Sequence, residues 1–422
     1  MLDLAEPDRY DRSFSLMKKV RKFVGFNDRN GILSARQSLK MARSAHAYVR
    51  GNTRNFYEWL ATSDIEAVPR GPAIWICGDC HVGNLGPIAN TDGHIDIQIR
   101  VLDQTVIGNP AHDLIRLGLS LATAVRGSNL PGVTTAKMLE TMVEGYEEAF
   151  AEKGGKSDFQ RDRPESVQIA MRHSSSRSWK QLAQDRIEDI KPAIPLGKRF
   201  WPLSQDEKHE IKELFQREDV RRLVTSLRSR DDQPTVKVLD AAYWVKGCSS
   251  LGRLRFAVVL GIGKPPYHGK GLCLMDIKEA IQAAAPRYPR ARMPRDNAER
   301  VVEGARHLAP NLGQRMLAAR FLERAVFLRE LLPQDLQLEI EHLTREEAMK
   351  AAQFLAAVVG QAHARQMNVV AKKKWQDDLK RHRSRNLDAP SWLWSSIVEL
   401  IVSHEGEYLE HCRKYAMIQF KS

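Results

Sequence analysis

The strongest constraint on this chain is an abrupt change of period near residue 73. Residues 10–25 and 34–62 read as helices, the second carrying Met41, Tyr48, Phe56 and Leu60 at mixed three- and four-residue spacing. Ala73-Ile74-Trp75-Ile76-Cys77 then runs apolar and stops at Gly78-Asp79, which predicts a buried strand feeding a loop. Asn90-Thr91-Asp92-Gly93 is a turn signal, and residues 94–102 alternate polar with apolar, so a hairpin or paired strands follow. Residues 113–124 return to a helical period.

This layout places a carboxylate and an amide on one loop. Asp79 and Asn84 stand five residues apart directly after the strand. That spacing lets the loop offer a carboxylate to an attacking hydroxyl and an amide to a metal ion, as phosphoryl transfer requires. A second carboxylate must hold magnesium between the phosphates, because that ion takes oxygen ligands and neutralises the transferred group. Asp103, expected at the end of the second hairpin strand, is the choice, with Asp96 as the rival.

Other features bound the alternatives. The chain has 422 residues and a net charge of +13, which invites nucleic acid or a polyanionic ligand as partner, but its Lys and Arg residues are dispersed and no zinc-finger, helix-turn-helix or RNA-recognition pattern accompanies them. Nucleic acid is therefore the disfavoured reading. The five cysteines, Cys77, Cys80, Cys248, Cys273 and Cys412, are too few and scattered for a disulfide scaffold; there is no signal-peptide layout and no run near the roughly 18 apolar residues of a membrane span, so the expectation is cytoplasmic. Cys77-Gly-Asp-Cys80-His81 also spells a haem-attachment or zinc half-site, but no second Cys-x-x-Cys exists. Residues 152–158 and 173–178 read as loops, residues 229–234 as a break, residues 236–245, 254–262 and 271–278 as strands, and residues 320–332 as a strand pair.

Gly78-Asp79-Cys80-His81-Val82-Gly83-Asn84 resembles the catalytic loop of aminoglycoside phosphotransferases and related small-molecule kinases, and Gly108-Asn109-Pro110-Ala111-His112-Asp113-Leu114 resembles the segment after their metal-binding Asp. The resemblance implies a catalytic Asp79, an orienting His81, metal ligands at Asn84 and Asp103, and an Asp113 that braces the loop. It also implies a phosphate-covering loop and a strand-borne lysine. These come later in the chain: Gly247, Ser249, Ser250 and Gly252 in a hairpin, Lys278 at the end of a strand, then a helix from Asp296 offering Glu303 or Glu299 as the lysine's partner. The expectation is an α+β, two-lobed, protein-kinase-like fold, circularly permuted. A helix-rich large lobe would span 1–234, a small antiparallel β lobe 235–335, and 336–422 would return as helices to the large lobe. ATP and Mg2+ would bind in the cleft, with transfer to a hydroxyl of a small molecule or, alternatively, silent nucleotide binding. The chain is also similar to a large uncharacterised bacterial family, through Lys40-Met41, Ser44, Arg50-Gly51, Lys278-Glu279-Ala280, Glu299–Gly304 and Ala362–Arg365.

Overall fold

In a computed structural model, residues 24–63, 68–126, 132–150, 163–176, 193–226, 235–248, 250–265, 267, 271–336, 344–381, 383 and 388–415 are described. They form a mixed α+β protein with thirteen α-helices and only antiparallel strand pairs.

Strand β1 (Ile74–Ile76) is wholly buried and pairs with β4 (Val106–Gly108). Between them lies the hairpin of β2 (Leu85–Ala89) and β3 (Ile95–Ile99), closed by Asn90, whose Oδ1 accepts the N–H groups of Asp92 and His94 at 2.9 and 2.8 Å. That side-chain turn is why Asn-Thr-Asp-Gly reverses the chain there. Asn109 then accepts the Ala111 N–H at 3.0 Å, and Pro110 opens the Pro110–Arg126 helix, where a missing N–H does no harm. This helix packs in one apolar core with the Gly132–Glu148, Arg345–Ala364 and Ser391–Tyr415 helices. Gly145 and Gly360 allow the second and third of these to approach: a Cβ at Gly145 would collide with the Gln353 backbone, and one at Gly360 would sit 2.7 Å from the Tyr146 carbonyl.

A second core lies on one face of a six-stranded sheet ordered β5 (Phe200–Trp201), β6 (Val236–Trp244), β7 (Arg255–Ile262), β8 (Leu272–Glu279), β10 (Arg324–Leu331) and β9 (Met316–Phe321). Strand period assigns the faces. Phe256, Val258 and Leu260 of β7, Cys273, Met275 and Ile277 of β8, and Val326 and Leu328 of β10 enter that core. Their alternates, Arg255, Asp276, Lys278, Phe327 and Arg329, therefore share the opposite face, where the register sets Lys278 between Arg255 and Phe327 and sets Asp276 opposite Arg329.

The structure corrects several sequence expectations. The helix expected over 34–62 is three helices, Phe26–Met41, Ala45–Gly51 and Thr53–Thr62, because Ser44 caps the second by accepting the Ala47 N–H at 3.1 Å. His173–Ser176 closes the Glu165–Ser176 helix and is not loop. Asp103 lies in a turn between β3 and β4, four residues past the last β3 residue. Packing does not follow the boundary expected at 234: Leu203, Ile211, Leu214 and Phe215 join Ile32 and Leu33 on the sheet's apolar face, while Val301, Val302 and Ala305 of the Asn297–Leu308 helix belong to the helical core. The expected helix over 10–25 falls outside the described residues except for 24–25, as do the 152–158 and 229–234 segments.

The β9–β10 hairpin turns on Leu322 and Glu323, both at positive φ (48° and 59°), without the Asn-Gly pair such two-residue turns prefer. Glu323→Gly is expected to raise stability by about 0.5–1 kcal/mol, since the relieved backbone strain exceeds the added unfolded-chain entropy. A urea midpoint unchanged or lowered would contradict this.

Candidate functional site

Strand β1 delivers a loop whose backbone is held from several sides. The Asp113 carboxylate, in the first turn of the Pro110–Arg126 helix, accepts the Cys77 and Gly78 N–H groups at 2.7 and 2.9 Å. His363 Nε2 lies 3.2 Å from the same carboxylate, His363 Nδ1 lies 2.9 Å from the Tyr146 hydroxyl, and Trp375 donates to that hydroxyl at 3.1 Å. Tyr57 donates to the Gly78 carbonyl at 2.7 Å. Gly78 has φ +73°, and a Cβ there would collide with the Gln104 carbonyl, so the tight exit from the strand requires glycine.

Beyond the loop opens a cavity of about 320 Å³ lined on one side by Asp79, His81, Asn84 and Asp103 and on the other by Arg255, Lys278, Phe327 and Arg329. Asp79 pairs with Arg116, which reaches it from the helix that also carries Asp113. Burial pushes the Asp79 carboxyl up, but the Arg116 guanidinium outweighs it and holds the group below its usual range. Burial holds His81 neutral, with its pKa down at about 3. Asn84 donates its amide N–H groups to the Asp79 and Val101 carbonyls at 3.1 and 2.9 Å, which fixes its Oδ1 as the remaining atom; that oxygen is buried without a hydrogen-bond partner.

Asp103 Oδ2 and Lys278 Nζ form a direct ion pair across the cavity, and Asp103 Oδ1 is buried without a partner. Burial lowers Lys278 to about 8, only partly offset by Asp103; burial raises Asp103, but Lys278 leaves it below the ordinary carboxylate value. Arg300 fixes the Asp103 turn from the Asn297–Leu308 helix: it donates to the Thr105 carbonyl, to the Asp103 carbonyl at 3.1 Å and to the Ile281 carbonyl at 2.8 Å. Gly304, one turn on, lets this helix lie against Thr105, whose side chain a Cβ there would strike.

The sheet wall carries its own charge balance. Asp276, fully buried, binds Arg255 through two hydrogen bonds of 2.9 and 2.7 Å and Arg329 at 3.0 and 3.1 Å, which drives its carboxyl far below the usual range despite its burial. The β6–β7 connection closes over the cavity edge, with Gly247 and Gly252 at φ +92° and +90° and Ser250 Oγ donating to the Lys246 carbonyl at 3.0 Å. Lys40 Nζ donates to the Gly247 carbonyl at 2.9 Å. Gly51 lies so close to this connection that a Cβ there would be 3.0 Å from Cys248 Sγ.

Residues 33–414 match the family of uncharacterised proteins conserved in bacteria designated DUF2252. The chain belongs to that family. No curated protein and no solved structure matches it. Several residues read from the DUF2252-like sequence pattern have geometric roles here: Lys40 and Gly51 meet the β6–β7 connection, Arg300 and Gly304 seat a helix on the Asp103 turn, and His363 touches Asp113.

The expected site residues fall into distinct places. Asp79, His81, Asn84, Asp103, Gly247, Ser250 and Lys278 all line the cavity. Gly252 is not among its lining residues, and Ser249 lies outside the described residues. Glu303 is corrected as the lysine's partner: it is an outward side chain paired with Arg306 and His307, at 3.1 and 3.3 Å, and Glu299 is exposed. Lys278 binds Asp103 instead, and the helix contributes Arg300. Asp96 lies within β3 opposite Ile88, accepts the Ile97 N–H at 2.9 Å, and does not line the cavity. Sequence reasoning missed Arg116, although its three-residue spacing from Asp113 puts both on the helix face toward the loop.

Among the described residues no group of three or more His, Cys, Asp or Glu side chains has metal-binding geometry. The two unpartnered oxygens, Asn84 Oδ1 and Asp103 Oδ1, nevertheless fit an ion that takes one or two protein ligands and completes its shell with phosphate oxygens and water, as magnesium does.

Burial keeps His81 neutral down to about pH 3 and His112 and His404 down to about pH 4, against an ordinary value of 6.5. The unfolded chain therefore binds more protons than the native chain below pH 6.5, and stability falls on acidification. The slope approaches about 1.4 kcal/mol per pH unit for each such group. Urea midpoints measured from pH 7 to 4 should fall steadily, and less steeply in His404→Gln, where two of the three imidazoles remain; a wild-type profile flat across that window would contradict the burial of neutral imidazoles.

Proposed function

We propose that this chain is an ATP- and Mg2+-dependent phosphotransferase with a circularly permuted kinase-like architecture, moving the γ-phosphate to a hydroxyl of a small molecule. The observation that carries this reading is the Lys278–Asp103 contact: a strand-borne lysine and an acidic turn residue, 175 positions apart, meet in one cavity beside the Asp79 loop. The reading is supported by Lys278, Asn84, Asp103 and Asp79 sharing one chamber, as a phosphate-binding cation, two metal ligands and a carboxylate for the acceptor would have to.

The order of elements supports the permutation. A glycine-bearing β6–β7 connection, the lysine strand β8, the Asn297–Leu308 helix and the β9–β10 pair are followed by the Arg345–Ala364 helix, the sequence that in unpermuted kinases leads into the catalytic loop. Just past that helix, Gln366 exchanges hydrogen bonds with the Trp75 backbone, accepting the N–H at 2.8 Å and donating to the carbonyl at 3.0 Å. The end of the helix thus lies beside the strand that delivers Asp79, although 291 positions separate Gln366 from Trp75.

Asn84 and Asp103 would hold the magnesium ion, which would neutralise charge on the phosphates. Lys278 binds phosphate oxygens, and the backbone N–H groups of the glycine connection approach them from above. Asp79, kept ionised by Arg116, accepts a hydrogen bond from the acceptor hydroxyl and orients it in line with the γ-phosphorus. The acceptor oxygen bonds to phosphorus as the β–γ bridge breaks and ADP leaves; the hydroxyl proton passes to Asp79 late, as suits a loose transition state. Neutral His81 packs against Asp79 and limits where the acceptor sits.

The Asp79–Arg116 pair also gives a second reading some support, that of a nucleotide binder without turnover, because a carboxylate held ionised by arginine is a weak proton acceptor. Calorimetric titration with ATP separates these proposals. Binding should require Mg2+, and Asp103→Asn should weaken it by about tenfold or more and abolish slow ADP release. Tight binding without ADP release favours the silent nucleotide binder; no binding at millimolar MgATP contradicts both.

A further inference from the structure

The cavity holds more positive charge than a nucleotide site needs. Seven of its lining residues are Lys or Arg against two Asp. Some of that excess is structural, since Arg255 and Arg329 are gripped by Asp276. Arg50 is different. It lines the chamber from the Ala45–Gly51 helix and makes no hydrogen bond or ion pair within the described structure. It lies close enough to His81, Lys40 and Cys248 to act on each electrostatically, so it stands between the Asp79 loop and the β6–β7 connection. Gly51 holds this helix against Cys248, and Lys40 is tied to the Gly247 carbonyl, so both cations are positioned by the fold. The charges acting on Lys40 are cations and a thiol, with no carboxylate among them, and the nearest acid of the loop, Asp79, is already taken by Arg116.

Two neighbouring cations facing a chamber without a carboxylate between them form a seat for an oxyanion, and a guanidinium offers it paired N–H donors. The seat runs from the Asp79–His81 loop, where the acceptor hydroxyl would approach, to Gly247 and Cys248 at the start of the β6–β7 connection, whereas Lys278 stands on the sheet wall. We infer that the acceptor is itself anionic: a hydroxyl compound carrying a phosphate or carboxylate group, clamped by Arg50 with Lys40. This inference rests on the phosphotransferase reading for the word acceptor, but the oxyanion seat is testable apart from it.

The test is a calorimetric titration with glycerol 3-phosphate, glycerate and glycerol in the presence of Mg2+ and a saturating non-hydrolysable ATP analogue, which occupies the γ-phosphate position. At least one of the two anions should bind and glycerol should not, the tighter anion identifying the headgroup. Arg50→Gln should weaken the anion by about tenfold or more, corresponding to a lost charged hydrogen bond, with Arg50→Lys restoring part of it. Anion affinity unchanged in Arg50→Gln, or glycerol bound as tightly as the anions, would overturn the inference. Should the analogue itself fail to bind, the phosphotransferase reading falls, while Arg50-dependent anion binding in that sample would still sustain the oxyanion seat and its absence would remove that as well.

Discussion

The contact between Lys278 and Asp103 joins the two halves of this molecule. Lys278 projects from the polar face of a sheet whose other face is packed with apolar side chains, and Asp103 stands in a turn anchored to the helical core. Lys278 is buried and the Asp103 side chain is only 11 % exposed, so each charge would be costly without the other; together, with Arg300 pinning the turn backbone, they fix where one half meets the other. This polar contact crosses the chamber between the halves, beside the apolar contact that Met316 and Phe327 of the sheet make with the helical core. A ligand rich in negative oxygens and accompanied by a cation can replace each partner's charge in kind.

A second constraint acts one layer deeper. Asp113 accepts two backbone N–H groups from the Asp79 loop while His363, Tyr146 and Trp375 extend the chain of hydrogen bonds into the helical core. Such a network positions a loop more tightly than apolar contacts, because each group has a partner only in one arrangement. On the opposite wall Asp276 does the equivalent for Arg255 and Arg329. The chamber's charges are thus set largely by groups outside it, and among the described lining residues Asn84 Oδ1, Asp103 Oδ1 and His81 Nδ1 are buried without a partner, beside the Arg50 guanidinium.

Much of this was legible in the sequence because it follows from local rules. The apolar run ending in Gly78-Asp79 is strand and tight turn, and period two along β8 put Lys278 on the face away from Met275 and Ile277. The order of motifs led to the expectation of a cleft shared by Asp79, Asp103 and Lys278, and all three line the cavity. What escaped depends on approach angles that spacing does not encode. Glu303 and Arg300 sit on one short helix, and only its docking on Thr105 through Gly304 decides that Arg300 faces the Asp103 turn and Glu303 the solvent. Arg116 was hidden for the same reason: its partner is defined by where the loop lies over the helix. The breaks at Ser44 and Asn52 were missed because apolar spacing continued across them, although Ser44 is an ordinary capping residue.

The central claim is that a nucleotide and its metal lie between the Asp103 turn and the β8 face. A crystal structure of the protein soaked with a non-hydrolysable ATP analogue and Mg2+ tests it most directly. The account predicts the ion bound by Asn84 Oδ1 and Asp103 Oδ1, phosphate oxygens on Lys278, and the γ-phosphate open toward Asp79 and Arg50. Nucleotide density elsewhere on the molecule, with the Lys278–Asp103 pair undisturbed, would contradict it.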